Sequence, residues 1–159
     1  MRIRVLGSSA GGGFPQWNCN CPNCDGFRRG TLKAHARTQS SIAISADGSD
    51  WLLVNASPDI LTQIREAPEL QPARAIRDSG IAAVLLMDAQ IDHVTGLLML
   101  RERKTPLPLL ATPEVFSDIS SGFPITGILS HYCGVDRQEL PIDGSAVRVP
   151  SLPGLLLHT

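Results

Sequence analysis

Apolar and polar residues along the chain follow two periods, and together they predict an α/β protein. Arg2 to Leu6 alternates charged and apolar side chains, which predicts a buried first strand running out into the glycine-rich Gly7 to Gly13. Ser40 to Ala46 alternates with period two, Asp47-Gly48 is a hairpin signal, and Trp51 to Val54 supplies the returning strand. Asn55-Ala56-Ser57-Pro58 ends that strand and starts a helix. There Ser57 is the expected cap, Pro58 fits the first turn, Ile60, Leu61 and Ile64 line one face, and Pro68 and Pro72 close it. Ile81 to Met87 is a continuous apolar run of strand length, as expected for a strand covered on both faces, and the polar group Asp88 to His93 follows at its carboxyl end. Open α/β sheets place their chemistry at such exits.

Val94, Leu97, Leu98 and Leu100 then predict a short amphipathic helix over 91–100. Leu107 to Ala111 reads as another buried strand, Thr112-Pro113-Glu114 opens a helix, and Gly122 to Gly127 reads as a turn-rich break. Ala146 to Val149 and Leu155 to His158 are further strand candidates.

Composition narrows the function classes. With 159 residues, 43% of them hydrophobic, the chain can bury one ordinary core, so one domain over 1–159 is expected. Fourteen basic and fifteen acidic side chains give a formal charge of −1, which leaves no electrostatic footprint for nucleic acid or an anionic membrane. The first apolar run is shorter than a signal peptide requires, and no stretch reaches the ~20 apolar residues of a membrane span. The expectation is a cytoplasmic protein, not embedded in a membrane, whose partner is a neutral small molecule, a peptide or a protein.

Three of the four cysteines, Cys19, Cys21 and Cys24, fall within six residues as C-N-C-P-N-C. In a reducing compartment such crowding points to metal, and C-x-C-x-x-C can present three corners of the tetrahedron that Zn²⁺ prefers. A structural zinc on the 19–24 loop is therefore expected, clamping the glycine loop to the core. A redox-active pair or an incidental cluster is the alternative. His35 is the nearest fourth ligand within the chain, while Cys133, alone in H-Y-C-G, reads as a small buried hydrophobe.

The second chemical group is D-A-Q-I-D-H. If strand geometry continues through it, Asp88, Gln90 and Asp92 lie on one side, and together with His93 they converge on a metal. The bland alternative makes Asp88 the cap of the following helix and His93 a satisfied core histidine.

G-S-S-A-G-G-G-F-P-Q-W-N-C-N-C-P-N-C, then N-A-S-P-D-I, then D-A-Q-I-D-H-V-T-G-L-L, in this order and spacing, resemble the protein B family of pyrroloquinoline quinone (PQQ) biosynthesis, within the metallo-β-lactamase superfamily. The resemblance implies an αββα sandwich of which this chain is the amino-terminal half, with a mixed sheet and flanking helices. It places the second sheet and the remaining metal ligands outside the chain.

Asp88 and Gln90 stand where the superfamily signature His-x-His-x-Asp-His has its two histidines, while Asp92 and His93 keep its second half. An Asp and a neutral Gln hold Zn²⁺ poorly at that first position, which disfavours a two-metal hydrolase. The implied activity is metal-dependent hydroxylation of a Glu-Tyr-derived intermediate, with Fe²⁺ favoured over Zn²⁺ or Mn²⁺. Asp92 and His93 would be ligands, Asp88 a ligand or its orienter, and Gln90 a hydrogen-bonding partner of substrate or water. Two other roles remain open at this point: a carrier for PQQ or a precursor on its way to the periplasm, and a metallo-hydrolase. Implied partners are the dipeptide or small-molecule precursor and other PQQ biosynthesis proteins.

Overall fold

A computed structural model describes residues 1–158. Its centre is a six-stranded mixed sheet. The strands are β1 (Arg2–Gly7), β2 (Ser41–Ser45), β3 (Trp51–Val54), β4 (Ile81–Leu85), β5 (Leu107–Ala111) and β6 (Val135–Glu139), and they lie side by side in chain order. β1, β2 and β3 pair antiparallel, and β3 to β6 pair parallel. Every parallel step is bridged by a helical crossover, as parallel pairing demands. A second, two-stranded sheet is the hairpin of β7 (Ala146–Val149) and β8 (Leu152–His158).

Alternation along the strands divides the core in two. Ala43, Leu53, Val84 and Leu109 face a helical layer. That layer comprises α2 (Ile60–Glu66), the single turn α3 (Ile91–Val94) with the 3-10 segment Thr95–Leu100, α4 (Pro113–Ser117) and α5 (Ile125–Leu129). Ile60, Leu97, Phe116, Ile119, Ile125 and Leu129 are fully buried there. Each such side chain stabilises by about 1.5–3 kcal/mol relative to exposure. Leu52, Ala83 and Leu110 face the other way, onto Val149, Leu152 and Leu155 of the hairpin.

Several expectations need correction. β1 is an exposed outer strand, not a buried one: Ile3 and Val5 are 58% and 61% exposed, because the hairpin covers the centre of that sheet face and stops short of its edge. Helix α2 buries Gln63 while Leu61 stays at the surface, since Gln63 spans from the helix to the carbonyl of Gln39 (2.8 Å). The region after α4 continues as a π-helical turn over Asp118–Gly122 and then as α5, so Gly122 closes the turn and Gly127 lies inside a helix.

Strand β6 carries Asp136, Arg137, Gln138 and Glu139 and gives almost no apolar signal; it forms because Leu107 to Ala111 offers it a full parallel register. The Ile91–Leu100 segment is one α-turn followed by 3-10 turns rather than a single helix. The other sequence-derived strands, and the Thr112 cap that accepts from the Val115 N–H, are in place. Among the described residues no helix is long and apolar enough to cross a membrane.

Candidate metal centre

Strand β4 delivers the D-A-Q-I-D-H group. The Leu86 N–H still donates to the Leu110 carbonyl of β5 (2.9 Å), and the chain leaves the ladder at Met87, whose N–H donates to Oδ1 of Asn55 (3.0 Å). Asn55 takes this role in a left-handed conformation, φ 60°, one that Asn tolerates better than most residues. By Asp88 the chain has left the strand, and Gln90 already precedes α3, so strand alternation does not run through the group.

Asp88 instead closes a local turn, with Oδ1 accepting the Gln90 N–H at 2.9 Å. The same oxygen lies 2.7 Å from Nδ1 of His93. A carboxylate only accepts, so Nδ1 carries the proton, and in the neutral ring Nε2 is the nitrogen with the lone pair. That free nitrogen sits 3.9 Å from Oδ2 of Asp92. Asp92 and His93 are mostly buried, while Gln90 is exposed and donates from Nε2 to Oδ2 of Asp88 at 3.3 Å. The two carboxylates thus address opposite nitrogens of one imidazole.

Backbone contacts hold this geometry against the turn that precedes α2. The Ala56 N–H donates to the His93 carbonyl (2.7 Å), and the Gly96 N–H to the Ala56 carbonyl (2.9 Å). A Cβ on Gly96 would lie 2.2 Å from the Ser57 carbonyl oxygen, so the approach requires glycine. The glycine-rich loop arrives from the other side: a Cβ on Gly11 would lie 3.1 Å from Oδ2 of Asp92.

Gln39, a lone glutamine in a polar stretch without any motif, joins these parts. Buried at 7% exposure, it donates from its backbone N–H (2.9 Å) and Nε2 (3.0 Å) to Oδ2 of Asp59. Its Oε1 accepts the Gly12 N–H at 2.9 Å. The acidic residue of N-A-S-P-D and the glycine loop are therefore one network.

The cysteines occupy a knuckle ahead of α1 (Pro22–Arg28), a helix that the sequence reading had as loop. Cys21 stands at its amino end and Cys24 is buried in its first turn. The three Sγ atoms lie within 4.8 Å of one another, and all four cysteines are free thiols. The backbone N–H of Cys24 first, then the Cys19 thiol, brings the Cys21 thiol down to about 7. The Gln16 N–H, 3.4 Å from the Cys24 sulfur, pulls that thiol down, but burial and the sulfurs of Cys21 and Cys19 outweigh it and leave its pKa raised.

Arg28 donates to the carbonyls of Gln16 and Cys19, and Phe27 meets Phe14 edge to face at 5.3 Å, so the knuckle is fastened to the glycine loop. His35 is exposed and outside the sulfur cluster, so it is not the fourth ligand in this arrangement. Cys133 packs, half-buried, against the helical core.

Comparison with known proteins follows this architecture. The Beta-lactamase superfamily domain matches residues 50–154. Coenzyme PQQ synthesis protein B of Cupriavidus necator is 69% identical over 155 residues, covering 98% of this chain and 51% of that protein. The protein of the same name from Azoarcus sp. is 62% identical with the same coverage. The crystal structure of Zn²⁺-bound PqqB from Methylobacterium extorquens superposes with a TM-score of 0.86 at 43% identity, covering 98% of this chain and 50% of that one. A diphosphatase of the PhnP family shares the fold alone, with a TM-score of 0.69 at 20% identity over 93% of this chain and 52% of that one. The chain belongs to the β-lactamase superfamily and, within it, is a relative of coenzyme PQQ synthesis protein B, spanning about half the length of the proteins of that name that it matches.

Proposed function

We propose that this chain is part of a cytoplasmic, metal-dependent oxygenase of PQQ biosynthesis that hydroxylates a Glu-Tyr-derived precursor. The observation that carries this reading is the pairing of Asp88 with Nδ1 of His93, which leaves Nε2 and the Asp92 carboxylate side by side as ligand atoms. One imidazole and one carboxylate at 3.9 Å fit a single cation of about 2.1 Å bond length after a small closure, and that donor pair suits Fe²⁺ as well as Zn²⁺. With a third ligand and open positions from the rest of the polypeptide, Fe²⁺ would supply the activation of O₂.

The chain's own residues would do the remainder. Asp88 holds the His93 ring in one tautomer and orientation. Gln90 steadies Asp88 and offers its carboxamide oxygen to substrate or water at the exposed rim. Gly11 lets the loop close over Asp92 and limit water there.

Asp88 and Gln90 occupy signature positions that hold histidines in two-metal hydrolases of the superfamily, which is why the hydrolytic reading is set aside. In the same proposal Cys19, Cys21 and Cys24 hold a structural Zn²⁺. Tetrahedral Zn–S bonds of ~2.3 Å put sulfurs about 3.8 Å apart, a spacing that falls within the 4.8 Å spread of the present cluster. The zinc in the M. extorquens structure supports metal binding in this family generally.

The test uses the protein at the full length of its relatives. It is loaded anaerobically with Fe²⁺ and given the Glu-Tyr intermediate, O₂ and a two-electron reductant such as ascorbate. A mass gain of one oxygen atom that disappears in His93→Ala is the expected result. Binding without turnover would favour the carrier role.

A further inference from the structure

At the amino-terminal edge of the parallel strands, the side of the sheet away from D-A-Q-I-D-H, lies a cavity of about 900 Å³. The starts of β4 and β5 form its floor, and the loops around residues 72–80 and 102–105 form its walls. Its volume is that of a small-molecule site.

Its charges are unevenly used. Asp50 and Asp78 are both engaged by Arg74, at 2.7 and 3.1 Å, and Glu102 pairs with Arg101 outside the cavity at 3.4 Å. Arg77, Arg103 and Lys104 also line it, and none has an anionic partner within ion-pair distance among the described residues.

Arg103 is the informative member. Its Nη1 donates to the Ile81 carbonyl at 2.8 Å, which pins the guanidinium to the floor, and its Nε is buried without a hydrogen-bond partner. Desolvation accordingly lowers its pKa from the usual arginine value. Asp78 and Cys133 attract this charge only from beyond ion-pair distance, and a positive charge partly withdrawn from water with no counter-ion in contact is costly, a cost relieved when an anion arrives.

We propose that this cavity is a binding site for a small oligoanion bearing two or more carboxylate or phosphate groups, held by Arg103 at its floor and by Arg77 and Lys104 at its rim. Three unpaired cations around one cavity match such a ligand in charge, and arginine's planar fork suits carboxylate and phosphate alike. A monoanion would leave two of the three unsatisfied. The site is independent of the metal centre, because it sits at the opposite ends of the same strands.

Calorimetric titration of the protein at the full length of its relatives, at constant ionic strength, tests this with tricarballylate and pyrophosphate as probes and acetate as the control. Saturable binding of at least one probe and none of acetate is expected. Whichever probe binds tells carboxylate from phosphate recognition. The exposed double variant Arg77→Gln/Lys104→Gln should weaken that binding by about tenfold or more, and Arg103→Met should weaken it further. If Arg103→Met does not fold, the double variant decides alone. Absence of saturable binding for both probes, or unchanged affinity in the double variant, overturns the proposal.

Discussion

Asp88 lies 2.7 Å from His93 Nδ1, and Asp92 lies 3.9 Å from Nε2 of the same ring, so two neighbouring carboxylates of one hexapeptide serve opposite nitrogens. This division of labour predicts unequal effects. Removing Asp88 frees the ring to rotate and change tautomer, so Asp88→Ala should weaken metal binding at this centre by about 10–100-fold, and Asp88→Asn by less. His93→Ala should abolish it. Competition titration with a metallochromic dye on the full-length protein checks the order; equal losses for Asp88→Ala and Asp88→Asn would show that charge, not orientation, is what Asp88 supplies.

The cysteine knuckle should carry about one tightly held zinc per chain. Cys21→Ser should release that metal and lower the melting temperature, because a closed zinc site contributes folding free energy directly. Elemental analysis beside thermal unfolding reads both effects. The accompanying loosening of the glycine loop should appear as faster amide exchange at Gly12, whose N–H is held by Gln39.

Gly96→Ala tests the seam between the Asp88–His93 turn and the start of α2. The new methyl would sit 2.2 Å from the Ser57 carbonyl oxygen and 2.7 Å from that of Ala56, and both are backbone atoms that cannot swing away. A loss of about 3 kcal/mol in denaturant unfolding is expected, at the upper end of ordinary overpacking.

Acid should act on the Arg74–Asp78 pair. The Arg74 side chain foremost, then the backbone N–H groups of Ala73 and Ser79, hold the Asp78 carboxyl far below its usual value. A depressed folded-state pKa contributes stability that is fully present above the unfolded value of about 3.9 and drains away as pH falls below it. Asp78→Asn should therefore reduce stability at neutral pH and flatten its decline between about pH 4 and pH 2. Urea midpoints measured across that range check the slope.

Much of this architecture could be read from the chain because local signals and tertiary packing agree. The apolar run at Ile81, the Asp47-Gly48 turn and the Thr112-Pro113 start each have one dominant solution, and the structure adopts it, although β4 stops at Leu85 and leaves Met87 exposed. Where the signals were weak, tertiary contact decided. β6 has no hydrophobic alternation and is specified by the neighbouring Leu107 to Ala111, and α1 hides inside a cysteine motif whose metal-binding pattern masks its helical character.

The residues of the candidate centre were visible as a cluster, yet their mutual arrangement was not. Whether Asp88 faces a cation or an imidazole depends on where β4 ends, and Asn55, thirty-three residues earlier in the chain, helps to fix that point by capturing the Met87 N–H. Gln39 was invisible for a related reason. A lone glutamine in a polar stretch acquires meaning only when folding buries it between Gly12 and Asp59.

Both outermost strands of the large sheet are patterned with charge. β1 intersperses Arg2 and Arg4 with its exposed Ile3 and Val5, and β6 presents Asp136, Arg137 and Glu139. A strand with an open flank is a template on which a neighbouring copy can nucleate, and ionic side chains there make such stacking unfavourable. The arginines of β1 thereby act as gatekeepers against fibre growth, restraining the adhesive pair of aliphatic residues that alternates with them.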